Sequence, residues 1–110
     1  MNDSNPTLLH AVLVEDEVQF TLVELSRACR VDSTQLVAFV EEGVLAPLAG
    51  VGALAVRRDD PQGWRFSGVA LRRARAALRL ARDLELNAPA VAVVLDLLDQ
   101  IEALRARLPR

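Results

Sequence analysis

The sequence predicts a mainly α domain, a winged helix-turn-helix with a short N-terminal strand, a small β-hairpin and two long C-terminal helices. Three observations predict it. Leu, Ala and Val dominate an apolar content of 52%, while aromatic residues supply only 4%; Leu and Ala lose little on becoming helical. Two helix-start signatures follow one another closely, Thr21 with Glu24 and Asp32 with Gln35. Beyond Asn87, apolar residues recur every three or four positions to the end of the chain. At 110 residues the length accommodates one domain, 1–110.

Residues 8–20 carry Val12, Val14, Val18 and Phe20 around an acidic run, the pattern of one or two short, half-solvated strands. Thr21 can cap the first helix with its hydroxyl while Glu24 reaches back to the cap amide, and Phe20 can staple onto Leu25. That helix is expected from Leu22 to about Cys29. A tight connection at Arg30 and Val31 leads to the second signature, in which Asp32 caps, Gln35 reaches back and Val31 meets Leu36. The second helix shows Leu36, Val37, Phe39 and Val40 on its apolar face and closes at Gly43, where a left-handed residue without a Cβ has no steric cost. The pair forms a helix-turn-helix over about 21–43.

Pro47 prevents the second helix from continuing. Residues 53–66 then read strand, polar turn, strand: ALAVR, the Asp-Asp-Pro-Gln-Gly segment, and Trp64-Arg65-Phe66, a hairpin or wing. Ser67 is placed to cap a third helix ending near 84, within 68–85, with Leu71, Ala74, Leu78 and Ala81 on an inward stripe and Arg72, Arg75, Arg79 and Arg82 on a second one. Asn87 caps a fourth helix over about 88–108, with Pro89 in its first turn, where no amide hydrogen is needed. Val94, Leu97, Ile101, Leu104 and Leu108 keep the spacing of a coiled-coil seam, and Val91, Leu95 and Leu98 widen the apolar face beyond what one neighbour covers. A homodimer through this helix is expected.

Composition narrows the function classes. Thirteen cations, all Arg, against fifteen acids give a net charge of −2 and a pI near 5.3, the wrong sign for a protein whose main task is neutralising phosphates. A single cysteine, Cys29, forbids an intrachain disulfide or a thiolate zinc site and reads as a packed small hydrophobe. The longest apolar runs, 49–56 and 88–95, are too short to cross a bilayer, and residues 1–7 lack the features of a secretory signal. The expected location is cytoplasmic, with no membrane partner.

Catalytic chemistry is not in evidence. His10 is the sole histidine and has no nucleophile at a recognisable spacing. Asp59 and Asp60 are adjacent residues of a turn, and Gly50 and Gly52 lead into no helix start or lysine that would cradle a phosphate. No enzyme activity, metal or cofactor is expected. Two charged faces remain: the arginine stripe of the third helix, and Asp96, Asp99 and Glu102 on the fourth.

The order helix-turn-helix, Gly43-Val44-Leu45-Ala46-Pro47, a hairpin with Trp64-Arg65-Phe66, then two long helices resembles the DNA-binding domain of MerR-type regulators. The closing stretch DLELNAPAVAVVLDLLDQIEALRARL and the opening VEDEVQFTLVELSRACRV resemble, more specifically, the chaperone modulatory protein CbpM family, over residues 8–108. That resemblance implies a MerR-like fold without enzymatic activity that binds the J-domain of a DnaJ-like co-chaperone, CbpA, and inhibits its work with the Hsp70 chaperone DnaK.

The alternative is a MerR-like DNA-binding regulator. Such regulators present an Arg-Tyr-Tyr-like segment near the end of the second helix, whereas this chain has Val37-Ala38-Phe39-Val40 followed by Glu41 and Glu42. Residues 33–42 contain no cation, and only Gln35 could bond a base edge. Arg57, Arg58 and Arg65 of the wing leave weak DNA contact open. DNA is therefore disfavoured as a partner. A third reading is a dimerisation module for some other protein. J-domains resemble one another in a basic second helix, so carboxylates are the expected docking groups: Glu15, Asp16 and Glu17; Glu41 and Glu42; and, first among them, Asp96, Asp99 and Glu102.

Overall fold

The computed structural model describes residues 18–49 and 59–109. Its elements, in chain order, are β1 (Phe20–Thr21), α1 (Leu22–Cys29), α2 (Ser33–Glu41), a 3-10 turn (Pro61–Gly63), β2 (Arg65–Phe66), α3 (Gly68–Asp83) and α4 (Ala88–Ala106). The fold is mainly helical, with four α-helices and one two-stranded sheet among the described residues.

Local hydrogen bonding fixes the helix starts. At α1 the capping box forms in both directions: the Glu24 amide donates to Thr21 Oγ1 at 3.1 Å and the Thr21 amide to Glu24 Oε1 at 2.9 Å. Ser67 accepts from the Ala70 amide at 3.3 Å, and Asn87 from the Ala90 amide at 2.9 Å. The second signature is corrected. Asp32 occupies the cap position of α2 but its side chain makes no capping bond; the Gln35 amide goes instead to the Asp32 carbonyl at 3.1 Å. Arg30, at φ 58°, makes the left-handed turn between α1 and α2, and Gly43, at φ 79°, follows the end of α2 as expected.

The strand Arg65–Phe66 pairs antiparallel with Phe20–Thr21, Phe20 opposite Phe66 and Thr21 opposite Arg65. Its sheet partner in the described structure is thus the segment that leads into α1. On the other edge the Leu48 amide donates to the Arg65 carbonyl at 2.7 Å. The expected outgoing limb at 53–57 lies outside the described residues, as do residues 8–17 of the expected N-terminal strand and His10. Trp64 and Phe66, both buried, meet edge to face with ring centroids 6.2 Å apart.

The core joins Leu25, Leu36, Phe39 and Phe66 to an alanine stripe on α3. That stripe differs from the expected one. Ala70, Ala74 and Ala77 are its buried members, while Leu71, Leu78 and Ala81 are half-buried at its edge. Small side chains at the closest approach let α3 sit near its neighbours, and the larger leucines fill the flanks. Helix α4 divides along its length: Val91 and Leu95 are buried in the core, whereas the helix beyond them is exposed. Those two residues therefore serve the intramolecular core, not a widened outer face. α4 ends at Ala106, two residues short of the expected 108.

Candidate functional site

The candidate site is the acidic surface formed by the end of α2 and the middle of α4. The exit of α2 is tightly bonded, because the Glu42 amide donates to Ala38, Gly43 to Val40 and Val44 to Phe39, the last at 2.8 Å. This turn buries Val44 and Leu45 and leaves Glu41 and Glu42 exposed. One side chain links it to α4. Arg73 Nε donates to the Val44 carbonyl at 2.7 Å, and its Nη2 donates to Asp99 Oδ2 at 3.2 Å. Of the three acidic groups expected from sequence, the α4 carboxylates meet this guanidinium through Asp99, while Glu41 and Glu42 are exposed at the end of α2. The third, Glu15, Asp16 and Glu17, lies outside the described residues.

The α4 carboxylates differ in state. Asp96 accepts from Gln100 Nε2 at 2.8 Å one turn away, and Asp99 is held by Arg73 though its side chain is 61% exposed. Glu102 is exposed. At about 100° per residue, Asp96, Asp99 and Glu102 occupy one side of α4, and Leu97, Ile101 and Leu104 project from roughly the opposite side, with Leu108 just beyond the helix end. These apolar residues are exposed, from 45% at Ile101 to 67% at Leu108, while Val94 is half-buried. An acidic face and an unpartnered apolar face therefore coexist on one helix without overlapping.

Arg73 is the residue that sequence reasoning missed. It stands outside the spacing of Arg72, Arg75, Arg79 and Arg82, all of which are exposed. Its offset from that stripe and its place beside Ala74 were the available signals, but the two oxygens it binds lie 29 and 26 positions away. The wing cation Arg65 is occupied locally, its Nη1 donating to the Trp64 carbonyl at 2.9 Å. Cys29 is half-buried against the core; burial raises its thiol pKa above the ordinary value, and the nearby Arg75 charge opposes that rise. Among the described residues, no three His, Cys, Asp or Glu side chains gather to hold a metal ion, and no helix is long and apolar enough to cross a membrane.

The arrangement can present carboxylates to a basic surface and leucines to an apolar one. The family model described as MerR HTH family regulatory protein matches residues 20–110. The chaperone modulatory protein CbpM of Coxiella burnetii is 33% identical over 101 residues, spanning 92% of this chain and 87% of the relative. That of Salmonella arizonae is 36% identical over 66 residues, 60% of this chain and 65% of the relative. Both descriptions are of non-enzymatic kinds of protein. With capped helix-turn-helix, α3 and α4 all inside the matched regions, the chain belongs to the MerR helix-turn-helix family and to the chaperone modulatory protein CbpM family.

Proposed function

We propose that this chain is a chaperone modulator that binds the J-domain of a DnaJ-like co-chaperone of the CbpA kind and inhibits its work with DnaK. The observation that carries the reading is the likeness, along nearly the whole chain, to proteins named chaperone modulatory protein. The exposed carboxylates support it. Asp96, Asp99 and Glu102 on α4, with Glu41 and Glu42 at the end of α2, offer negative charge to the basic second helix of a J-domain, and Glu15, Asp16 and Glu17 add to that charge. Covering that helix would deny it to DnaK. Rim charges then set the association rate and salt sensitivity, and apolar anchors the lifetime of the complex.

The protein acts in the cytoplasm as a homodimer in this reading, joined through Leu97, Ile101, Leu104 and Leu108 with Val94 at the inner end. Because the acids stand on the other side of α4, docking and dimerisation are compatible. DNA recognition is the weaker reading, since α2 carries no cation and is bordered by Asp32, Glu41 and Glu42. The test is a titration of the purified chain with the J-domain of its own organism's co-chaperone, beside a DNA mobility shift at physiological salt. Saturable J-domain binding that lowers DnaK ATPase stimulation is the expected result; selective operator binding with no affinity for the J-domain overturns it.

A further inference from the structure

A second charged surface, opposite in sign, is not used by that reading. An open groove of about 1080 Å³ runs where the turn between α1 and α2 meets the last turns of α3. Its lining is mixed: Cys29, Val31, Leu78, Ala81 and Leu86 are apolar, Ser26, Thr34 and Gln35 are neutral and polar, and Arg27, Arg30 and Arg82 are cationic. Arg75 borders the same region, since its charge acts on Cys29, which lines the groove. With Arg79 the exposed stripe extends about 10 Å along α3 at 1.5 Å per residue.

The balance of charge is clearly positive. Arg27, Arg30, Arg75 and Arg79 have no ion-pair partner among the described residues, while Arg82 is paired with its neighbour Asp83 at 3.2 Å, both largely exposed. One carboxylate, Asp32, lines the groove. Glu24, at the far end of α1, is committed to the capping box. A chain of net charge −2 thus sets three of its thirteen cations, Arg27, Arg30 and Arg82, on the lining of one groove, with Arg75 beside it.

We infer that this groove is a docking site for an acidic amphipathic peptide segment of a partner protein, its carboxylates on the arginine rim and its apolar side chains on Leu78, Ala81 and Leu86. Three features select that occupant. Guanidinium groups spread over two turns of α3 and across to α1 match carboxylates distributed along a segment, not one compact anion. The apolar part of the lining, Leu78, Ala81 and Leu86, gains from burying leucine-like side chains, which a phosphate backbone does not supply. The trough is open along its length, as an elongated ligand requires. The site is distinct from the acidic face of α2 and α4, so a partner held here can be bound together with a basic one held there.

The test uses the full chain and a fluorescein-labelled peptide carrying Glu and Leu at helical spacing, followed by polarisation. Its Glu-to-Gln counterpart, an all-Glu peptide and a short DNA duplex run in parallel. The Glu/Leu peptide should bind most tightly, with at least about tenfold loss in the R27Q/R30Q double variant and a further loss as salt rises from about 50 to about 500 mM. Amide resonances of residues 26–35 and 78–86 of the wild-type chain should shift on its addition, a readout that stands even where a variant folds poorly. Equal binding of the Gln peptide, tighter binding of the duplex at those resonances, or no shift there with excess peptide each overturns the inference. J-domain affinity unchanged in R27Q/R30Q separates this site from the acidic one.

Discussion

Arg73 Nε donates to the Val44 carbonyl at 2.7 Å, joining residues 29 positions apart. The bond satisfies a carbonyl just beyond the end of α2, in a turn that buries Val44 and Leu45, and the same guanidinium extends to Asp99. One arginine therefore fixes how α2, α3 and α4 meet at the acidic surface.

Arg73→Met keeps most of the stem but loses both bonds. It should cost about 1–2 kcal/mol in urea denaturation, chiefly for the Val44 carbonyl left without its donor. Asp99→Asn should cost at most about 0.5 kcal/mol, because that pair is solvent-exposed. Equal losses from the two substitutions would show that the ion pair, and not the carbonyl bond, is the anchor.

Thr21→Ala removes a capping box seen in both directions and should destabilise the fold by about 1 kcal/mol. Asp32→Ala removes a side chain that makes no capping bond and should cost no more than about 0.3 kcal/mol, from the charge at the start of α2. Thermal melts of the two variants at equal concentration distinguish these outcomes.

Ala74→Leu introduces bulk at a fully buried point of α3 and should destabilise by about 1–3 kcal/mol. The same change at Arg75, on the exposed stripe, should be nearly neutral. A neutral Ala74→Leu would mean that the helix stands off its neighbours.

Leu104→Glu should leave the monomer fold intact by circular dichroism and shift the sedimentation coefficient from dimer towards monomer, since Leu104 is 58% exposed in the single chain. Retention of the dimer would move the self-association surface elsewhere. With Leu104 unchanged, Asp96→Arg with Asp99→Arg should weaken J-domain binding at least about tenfold. Raising salt from about 50 to about 500 mM should slow association, and an unchanged rate would remove electrostatic steering from the mechanism.

The Cys29 thiol, shifted upward by burial, should be alkylated more slowly at mildly alkaline pH than an unfolded cysteine, because only the thiolate reacts. Arg75→Gln removes the opposing charge, so the pKa should rise further and the rate fall again. A faster reaction in that variant would point to greater exposure of the thiol instead of electrostatics.

Much of the fold was legible before any coordinates because its signals are local. Thr21 with Glu24, Ser67 with Ala70 and Asn87 with Ala90 are bonds across three positions, and helix spacing alone separates the arginine stripe from the alanines. Asp32 shows the limit of such reading, since the right residue at the right position left its side chain out of the cap. The acidic residues were also legible as a class, but not that Asp99 is the one Arg73 holds.

The linear chain determined the capped helices, the sign of each helical face and the long apolar run of α4, because each depends on residues a turn or less apart. Tertiary structure decided that Phe66 pairs with Phe20, that Ala70 and Ala77 join Ala74 in the core, that α4 is covered only as far as Leu95, and that Arg73 ties Val44 to Asp99. Those outcomes depend on how distant elements rotate and approach to fill one core. No local spacing encodes the direction of that approach.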